Sequence, residues 1–170
     1  METRQVRRRI QKHTVYILLM VACSVLQGTP GLMKWQTVHS MPVIAAIAAI
    51  SMAEGGFSGG LYGLLGGILI DVWAFHIFGV ASVLFLIFGC AGGISTLLVI
   101  HANRKTAFLM TGLFAFLYGS LSHYVIYGLW GYEGAGALFW QSVLPSSLLT
   151  APWGIVLFML IERIRRRFEE

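Results

Sequence analysis

Apolar residues run through this chain in long blocks, with polar side chains confined to a few points. Between His13 and Asn103 the charged side chains are Lys34, Glu54 and Asp71 alone. Blocks of this kind predict helices that cross a bilayer, since about 20 apolar residues span the hydrocarbon as a helix. The pattern predicts a first helix from Thr14 to Gly31, ending in the breakers Gly28, Thr29, Pro30 and Gly31. A short, alanine-rich second helix follows from Met41 to Ala53. The third and fourth fit Phe57 to Phe75 and Gly79 to Ile100, joined tightly through His76 to Phe78. A fifth fits Thr106 to Leu129 and a sixth Gln141 to Glu162. The expected fold class is an all-α integral membrane protein, a six-transmembrane-helix bundle. Residues 14–162 form the membrane domain, 1–13 a basic N-terminus and 163–170 a basic tail.

Composition agrees, with 57% hydrophobic and 11% charged residues and a mean hydropathy of +0.77. Soluble domains carry about 25% charge, so a soluble domain is excluded. The net charge of +5 does not point to nucleic acid, because the basic residues crowd into three flanks of apolar runs. Arg4, Arg7, Arg8, Arg9 and Lys12 precede the first span, Arg104 and Lys105 separate the fourth and fifth, and Arg163, Arg165, Arg166 and Arg167 follow the sixth. Basic residues beside spans stay cytoplasmic, so an even count of crossings between these flanks is required. Six helices with both termini cytoplasmic satisfy it, leaving Lys34 as the one basic residue outside.

The first span also has the outline of a secretory signal, and Leu19 to Cys23 loosely resembles a lipoprotein cleavage box in which Met20 departs from the usual residue. Retention as a transmembrane helix is expected, because further spans follow. Cys23 and Cys90 sit apart in apolar runs, so no disulfide framework is expected. P-loop and HExxH motifs are absent from the sequence.

The stretch EGGFSGGLYGLLGGILID is the most informative. Gly56, Gly60, Gly63 and Gly67 recur at helical spacing and form a ridge that lets another backbone approach closely. Asp71 is the next step on that ridge, so its carboxylate faces protein. An ionisable residue inside a span costs about 2.5–3.5 kcal/mol to insert and is a candidate functional group by default, although pinning neighbouring helices is the favoured role. Gly112, Ala115, Gly119 and His123 share a face of the fifth helix, and His123 lies at a depth that makes an Asp71–His123 hydrogen bond conceivable. Ala45, Ala49 and Ala53 form a second small-residue stripe, for packing either internally or against another membrane protein. Trp35, Trp73, Phe75, Tyr124, Tyr127, Trp130, Tyr132 and Trp140 gather toward the predicted outer ends as an interfacial belt. His39, His76 and His101 lack companions at ligand spacing, so neither a metal nor a cofactor is expected. Pro145 and Pro152 predict a distorted last helix, with Ser146, Ser147 and Thr150 to satisfy its backbone.

The order of a basic N-terminus, a first span, Pro42, a short apolar helix, GGLYGLLGGILID, Phe78-Gly79 and the ending IERIRRRF resembles the bacterial rod shape-determining membrane protein family MreD. In that resemblance Pro42 stands at the family's proline opening the second helix, Gly63 and Gly67 on its glycine-rich third helix, Asp71 at its aspartate and Gly79 at its glycine opening the fourth. Val43 replaces an acidic residue frequent after the proline, and the family's asparagine in the last helix has no counterpart. The resemblance implies a non-enzymatic subunit of the cell-elongation machinery in the inner membrane. It implies association with the membrane-anchored periplasmic protein MreC and, through it, with MreB, RodA and a class B transpeptidase. The six-helix arrangement is also similar to the substrate-binding S-components of energy-coupling-factor vitamin transporters. That is the alternative reading. A vitamin site needs several convergent polar groups, and Asp71, His123, Trp73, Glu133 and Gln141 are what this sequence offers; the adaptor reading is favoured.

Overall fold

The structure is a computed structural model and describes residues 2–29, 34–35, 38–73, 79–98, 101–125 and 135–169. Among them six helices and one short antiparallel ladder follow in the order α1 (Glu2–Gly28), β1 (Lys34–Trp35), β2 (Val38–His39), α2 (Pro42–Glu54), α3 (Gly56–Trp73), α4 (Val80–Leu98), α5 (Arg104–His123) and α6 (Ala135–Glu169). The all-helical expectation and the number of helices both hold. The ladder, pairing Lys34 with His39 and Trp35 with Val38, carries no signal in the hydropathy pattern.

The outer two helices are longer than predicted. α1 begins at Glu2 rather than Thr14, and α6 runs through the basic tail to Glu169. Neither flank contains Gly or Pro, and arginine and glutamine are good helix formers, so nothing stops the helix where the apolar run stops. Pro145 and Pro152 lie inside α6 without ending it. The Ser147 and Thr150 hydroxyls donate to the carbonyls of Leu144 (2.8 Å) and Ser146 (2.6 Å) in the same stretch.

α2 is the axis of the bundle. PVIAAIAAISMAE is apolar on every side, and a helix apolar all round must be covered all round. All residues from Pro42 to Met52 are buried, and α2 packs against α1, α3, α4, α5 and α6. Around it stand two antiparallel hairpins, α3/α4 and α5/α6, with α1 packed against α2, α3 and α6. The α5/α6 pair closes through Gly112 on Ala151, Gly119 on Val143, and Gly154 on Ala107 and Thr111. Phe88 stacks on Phe114 and Phe85 meets Tyr118, joining one hairpin to the other.

Among the described residues, three helical segments are long and apolar enough to cross a membrane, Arg7–Gly28, Val80–Leu98 and Phe139–Phe168; Pro42–Glu54 and Gly56–Val72 are shorter apolar helices. The surface is the reverse of a soluble protein's. Leu18, Phe57, Val72, Leu97, Leu98, Leu109 and Leu148 point outward, while alanines and serines share the interior with larger side chains such as Tyr16, Met20, Ile47 and Phe85. Hydrocarbon accepts leucine as readily as a core does, so the small residues go where backbones meet.

Candidate functional site

The glycine ridge of α3 lies against α4 of the same chain. A Cβ at Gly63 would strike the Phe85 carbonyl, one at Gly67 the Ser82 Cα, and one at Gly60 the Cys90 sulfur. Gly56 faces Ile94 and the Cys90 carbonyl at 3.0 and 3.1 Å from the position a Cβ would take. The other wall is glycine as well: a Cβ at Gly89 would strike the Gly59 carbonyl, and one at Gly93 the Gly56 amide. Gly89 and Gly93 were not singled out from the sequence, though their spacing of four is the same signal as on α3. Backbone thus rests on backbone along most of the α3/α4 seam, a geometry that only glycine permits.

The seam ends at Asp71, one turn beyond Gly67. Its carboxylate is 7% exposed and accepts four hydrogen bonds from the start of α4. These come from the Gly79 amide (3.0 Å), the Ala81 amide (3.3 Å), the Ser82 amide (3.1 Å) and the Ser82 hydroxyl (2.6 Å). The first amides of a helix have no partner within it and carry its positive dipole end, so they attract a carboxylate. Asp71 caps α4 from a neighbouring helix. Gly79 makes this possible with φ of +101°, a conformation that glycine adopts without strain, as the chain turns into α4.

The Asp71–His123 hydrogen bond conceived from depth is a correction to make. The bonds to Asp71 come from α4, whereas the His123 ring stands edge-on to Phe139 at 5.6 Å. Similar depth suggested the pairing, but the donors that reach Asp71 are those of Gly79, Ala81 and Ser82.

Of the two readings of the alanine stripe on α2, packing inside the chain is the one found, and the partner-surface reading gives way to it. Ala45 and Ala49 are fully buried inside this chain and Ala53 is half-buried, because α2 is enclosed on all sides.

Pro42 occupies the first turn of α2, where a missing amide hydrogen costs nothing. Its N-cap Met41 makes no side-chain cap, so the amides there look outward for acceptors. The Thr150 hydroxyl accepts from Met41 (3.1 Å), the Ser146 hydroxyl from His39 (3.0 Å) and the Gln27 side chain from Val43 (3.4 Å). The polar residues beside the α6 prolines therefore serve incoming backbone as well as their own helix. At 13 residues α2 is about 20 Å long, short of the roughly 30 Å hydrocarbon, and non-helical backbone at its mouth survives only when protein satisfies it.

At the opposite end, Glu54 forms an ion pair with Lys12 at 2.8 Å and accepts from the buried Tyr16 hydroxyl at 3.0 Å. Arg165 donates to the Ala53 carbonyl at 3.0 Å, and His13 Nδ1 lies 2.7 Å from the Tyr62 hydroxyl. The basic flanks of α1 and α6 thus converge on the end of α2. The partners of Glu54 were not legible in the sequence.

Of the remaining residues named from the sequence, Gln141 is exposed, and Phe75, His76, Tyr127, Trp130, Tyr132 and Glu133 lie outside the described residues. Among the described residues no group of three His, Cys, Asp or Glu is placed to hold a metal. Comparison with curated proteins and with solved structures finds no match. The family model of rod shape-determining protein MreD matches residues 7–168, a span that contains the glycine seam, the Asp71 cap, the Pro42 start and the Glu54 cluster. The chain belongs to the MreD family of rod shape-determining membrane proteins.

Proposed function

We propose that the chain is a non-enzymatic, multi-pass subunit of the cytoplasmic membrane that serves the bacterial cell-elongation machinery as an adaptor. It binds an MreC-like membrane-anchored periplasmic protein and, through that complex, connects to MreB, RodA and a class B transpeptidase. The observation that carries this reading is the family match over residues 7–168. The chemistry of the interior supports it. Asp71 is engaged by the α4 backbone and Glu54 by Lys12 and Tyr16, so both carboxylates act to hold helices in place. Partner binding falls to surfaces outside the glycine and alanine ridges, which the chain uses on itself.

Both termini are cytoplasmic in this reading. Lys12 and Arg165 meet at the end of α2, which puts the first and last basic flanks on one face of the bundle, and basic residues beside spans resist translocation.

The test is affinity purification of the full chain from detergent-solubilised membranes. Copurification of an MreC-like protein together with a glycosyltransferase is the expected result. Recovery with an ATPase module and its coupling subunit, or with a stoichiometric small molecule, overturns the proposal.

A further inference from the structure

Between α1 and α6, at the basic end of the bundle, an open groove of about 530 Å³ is lined by Gln11, Thr14, Val15, Ile164, Arg167 and Phe168. Val15, Ile164 and Phe168 are half-buried and give it an apolar floor, while Gln11 and Arg167 are exposed at its rim. Arg7 and Arg8 precede Gln11 by four and three residues, so they share its side of α1; Arg163 precedes Arg167 by four on α6. All four arginines are exposed. Arg166, by contrast, is paired with Glu162 at 2.6 Å, and among the described residues no such ion pair engages Arg7, Arg8, Arg163 or Arg167.

The depth of the groove is fixed by its neighbours. Lys12 and Arg165, held on Glu54 and the Ala53 carbonyl, mark the level where the apolar bundle gives way to charge. Thr14, Val15 and Ile164 lie on the membrane side of that level, and Gln11, Arg167 and Phe168 on the water side. Apolar surface thus faces hydrocarbon, and guanidinium groups stand at the height of lipid phosphates. Guanidinium recognises a phosphodiester through paired, charge-assisted hydrogen bonds, and basic pockets between membrane helices suit anionic headgroups.

We propose that this groove binds one anionic phospholipid. An acyl chain lies along Val15 and Ile164, and the phosphate meets Arg167 with Arg8 and Arg163 beside it. A zwitterionic lipid offers the same tail but brings its own cation to an arginine-bearing rim. The inference is independent of any protein partner, so it is tested on the chain alone.

The experiment is native mass spectrometry of the full chain in detergent with equimolar phosphatidylglycerol and phosphatidylcholine. Phosphatidylglycerol adducts are expected to exceed phosphatidylcholine by about fivefold or more, and R167Q to lower that ratio by about fivefold, the effect of one arginine near an anionic headgroup. T14W fills the groove without changing charge and is expected to remove the preference, while R104Q, at the start of α5, leaves it intact. Melting curves matching the parent establish that these surface variants fold. Equal retention of the two lipids overturns the proposal. So does a preference that survives T14W, which assigns it to diffuse charge, or stoichiometric displacement of the lipid by an acidic amphipathic peptide, which assigns the groove to a protein.

Discussion

Two carboxylates are built into the bundle, Asp71 near one end and Glu54 near the other, and they are held by different means. Asp71 is surrounded by the first turn of α4, three of its four hydrogen bonds coming from backbone amides. Glu54 is held by two long side chains of α1, the Lys12 ammonium and the Tyr16 phenol. Amides are fixed to their helix, so the Asp71 cap depends on how closely α3 and α4 lie. Long side chains can follow a shifted helix, so the Glu54 cluster depends on which residues stand in the α1 flank. One carboxylate reports the seam; the other reports the sequence of the basic end.

The sharpest way to break this distinction is Gly63→Leu. Even a Cβ there strikes the Phe85 carbonyl, and backbone has no rotamer by which to yield. Ordinary overpacking costs about 1–3 kcal/mol; here α3 must leave α4 and take Asp71 with it, so the cost exceeds about 4 kcal/mol and folded, monodisperse protein is lost in size-exclusion chromatography. Leu65→Ala, two residues on and outward-facing, leaves the elution profile unchanged. A normal profile for the Gly63 variant would show that the seam is looser than the geometry requires.

Asp71→Ala comes next. It strands the Gly79, Ala81 and Ser82 amides inside the protein and is expected to cost about 3 kcal/mol, read as a fall in the denaturation midpoint in detergent. Asp71→Asn keeps one acceptor and costs about 1 kcal/mol, since it loses the charge that the α4 dipole favours. Equal losses for the two variants would mean that the carboxylate does more than cap.

How far the sequence reaches is visible in these same residues. The glycine spacing and the step of four to Asp71 showed that the ridge faces protein, because spacing on a helix is set by its geometry. Which protein it faces depends on the turn between α3 and α4 and on the rotation of each helix. Those are tertiary quantities, so His123 was offered as a partner where Ser82 and Gly79 are found. Ala45 and Ala49 show the same limit: the stripe was evident, but enclosure of α2 follows from the placement of five other helices. Hydropathy located the helices yet missed where α1 begins and α6 ends, because hydropathy tracks solvent and arginine-rich flanks remain good helix formers in water.

Glu54→Gln tests the other carboxylate. The ion pair is mostly shielded, with Lys12 and Glu54 side chains 12% and 13% exposed, so removing one partner leaves an ammonium short of solvent. Discounted for that residual solvent, the loss is about 2 kcal/mol. In a double-mutant cycle with Lys12→Met, the two changes are expected to be strongly non-additive. Asp71→Asn with His123→Ala is expected to be additive, since Asp71 takes its bonds from α4. Reversal of that pattern would return His123 to the site.

The smallest effect is expected at Thr150, which does for α2 with a neutral oxygen what Asp71 does for α4 with a charged one. Its hydroxyl accepts from the Met41 amide at the mouth of a helix that has no side-chain cap of its own. Thr150→Val keeps the shape and removes the acceptor, at about 1 kcal/mol, and should raise hydrogen exchange at the Met41 amide while leaving Ser82 protected. The size of that loss relative to Asp71→Ala measures what charge adds to capping in a protein-lined, water-poor interior. If Thr150→Val proved as costly as Asp71→Ala, the carboxylate would owe its place at the end of the seam to the number of amides it gathers, and the α4 dipole would contribute nothing further.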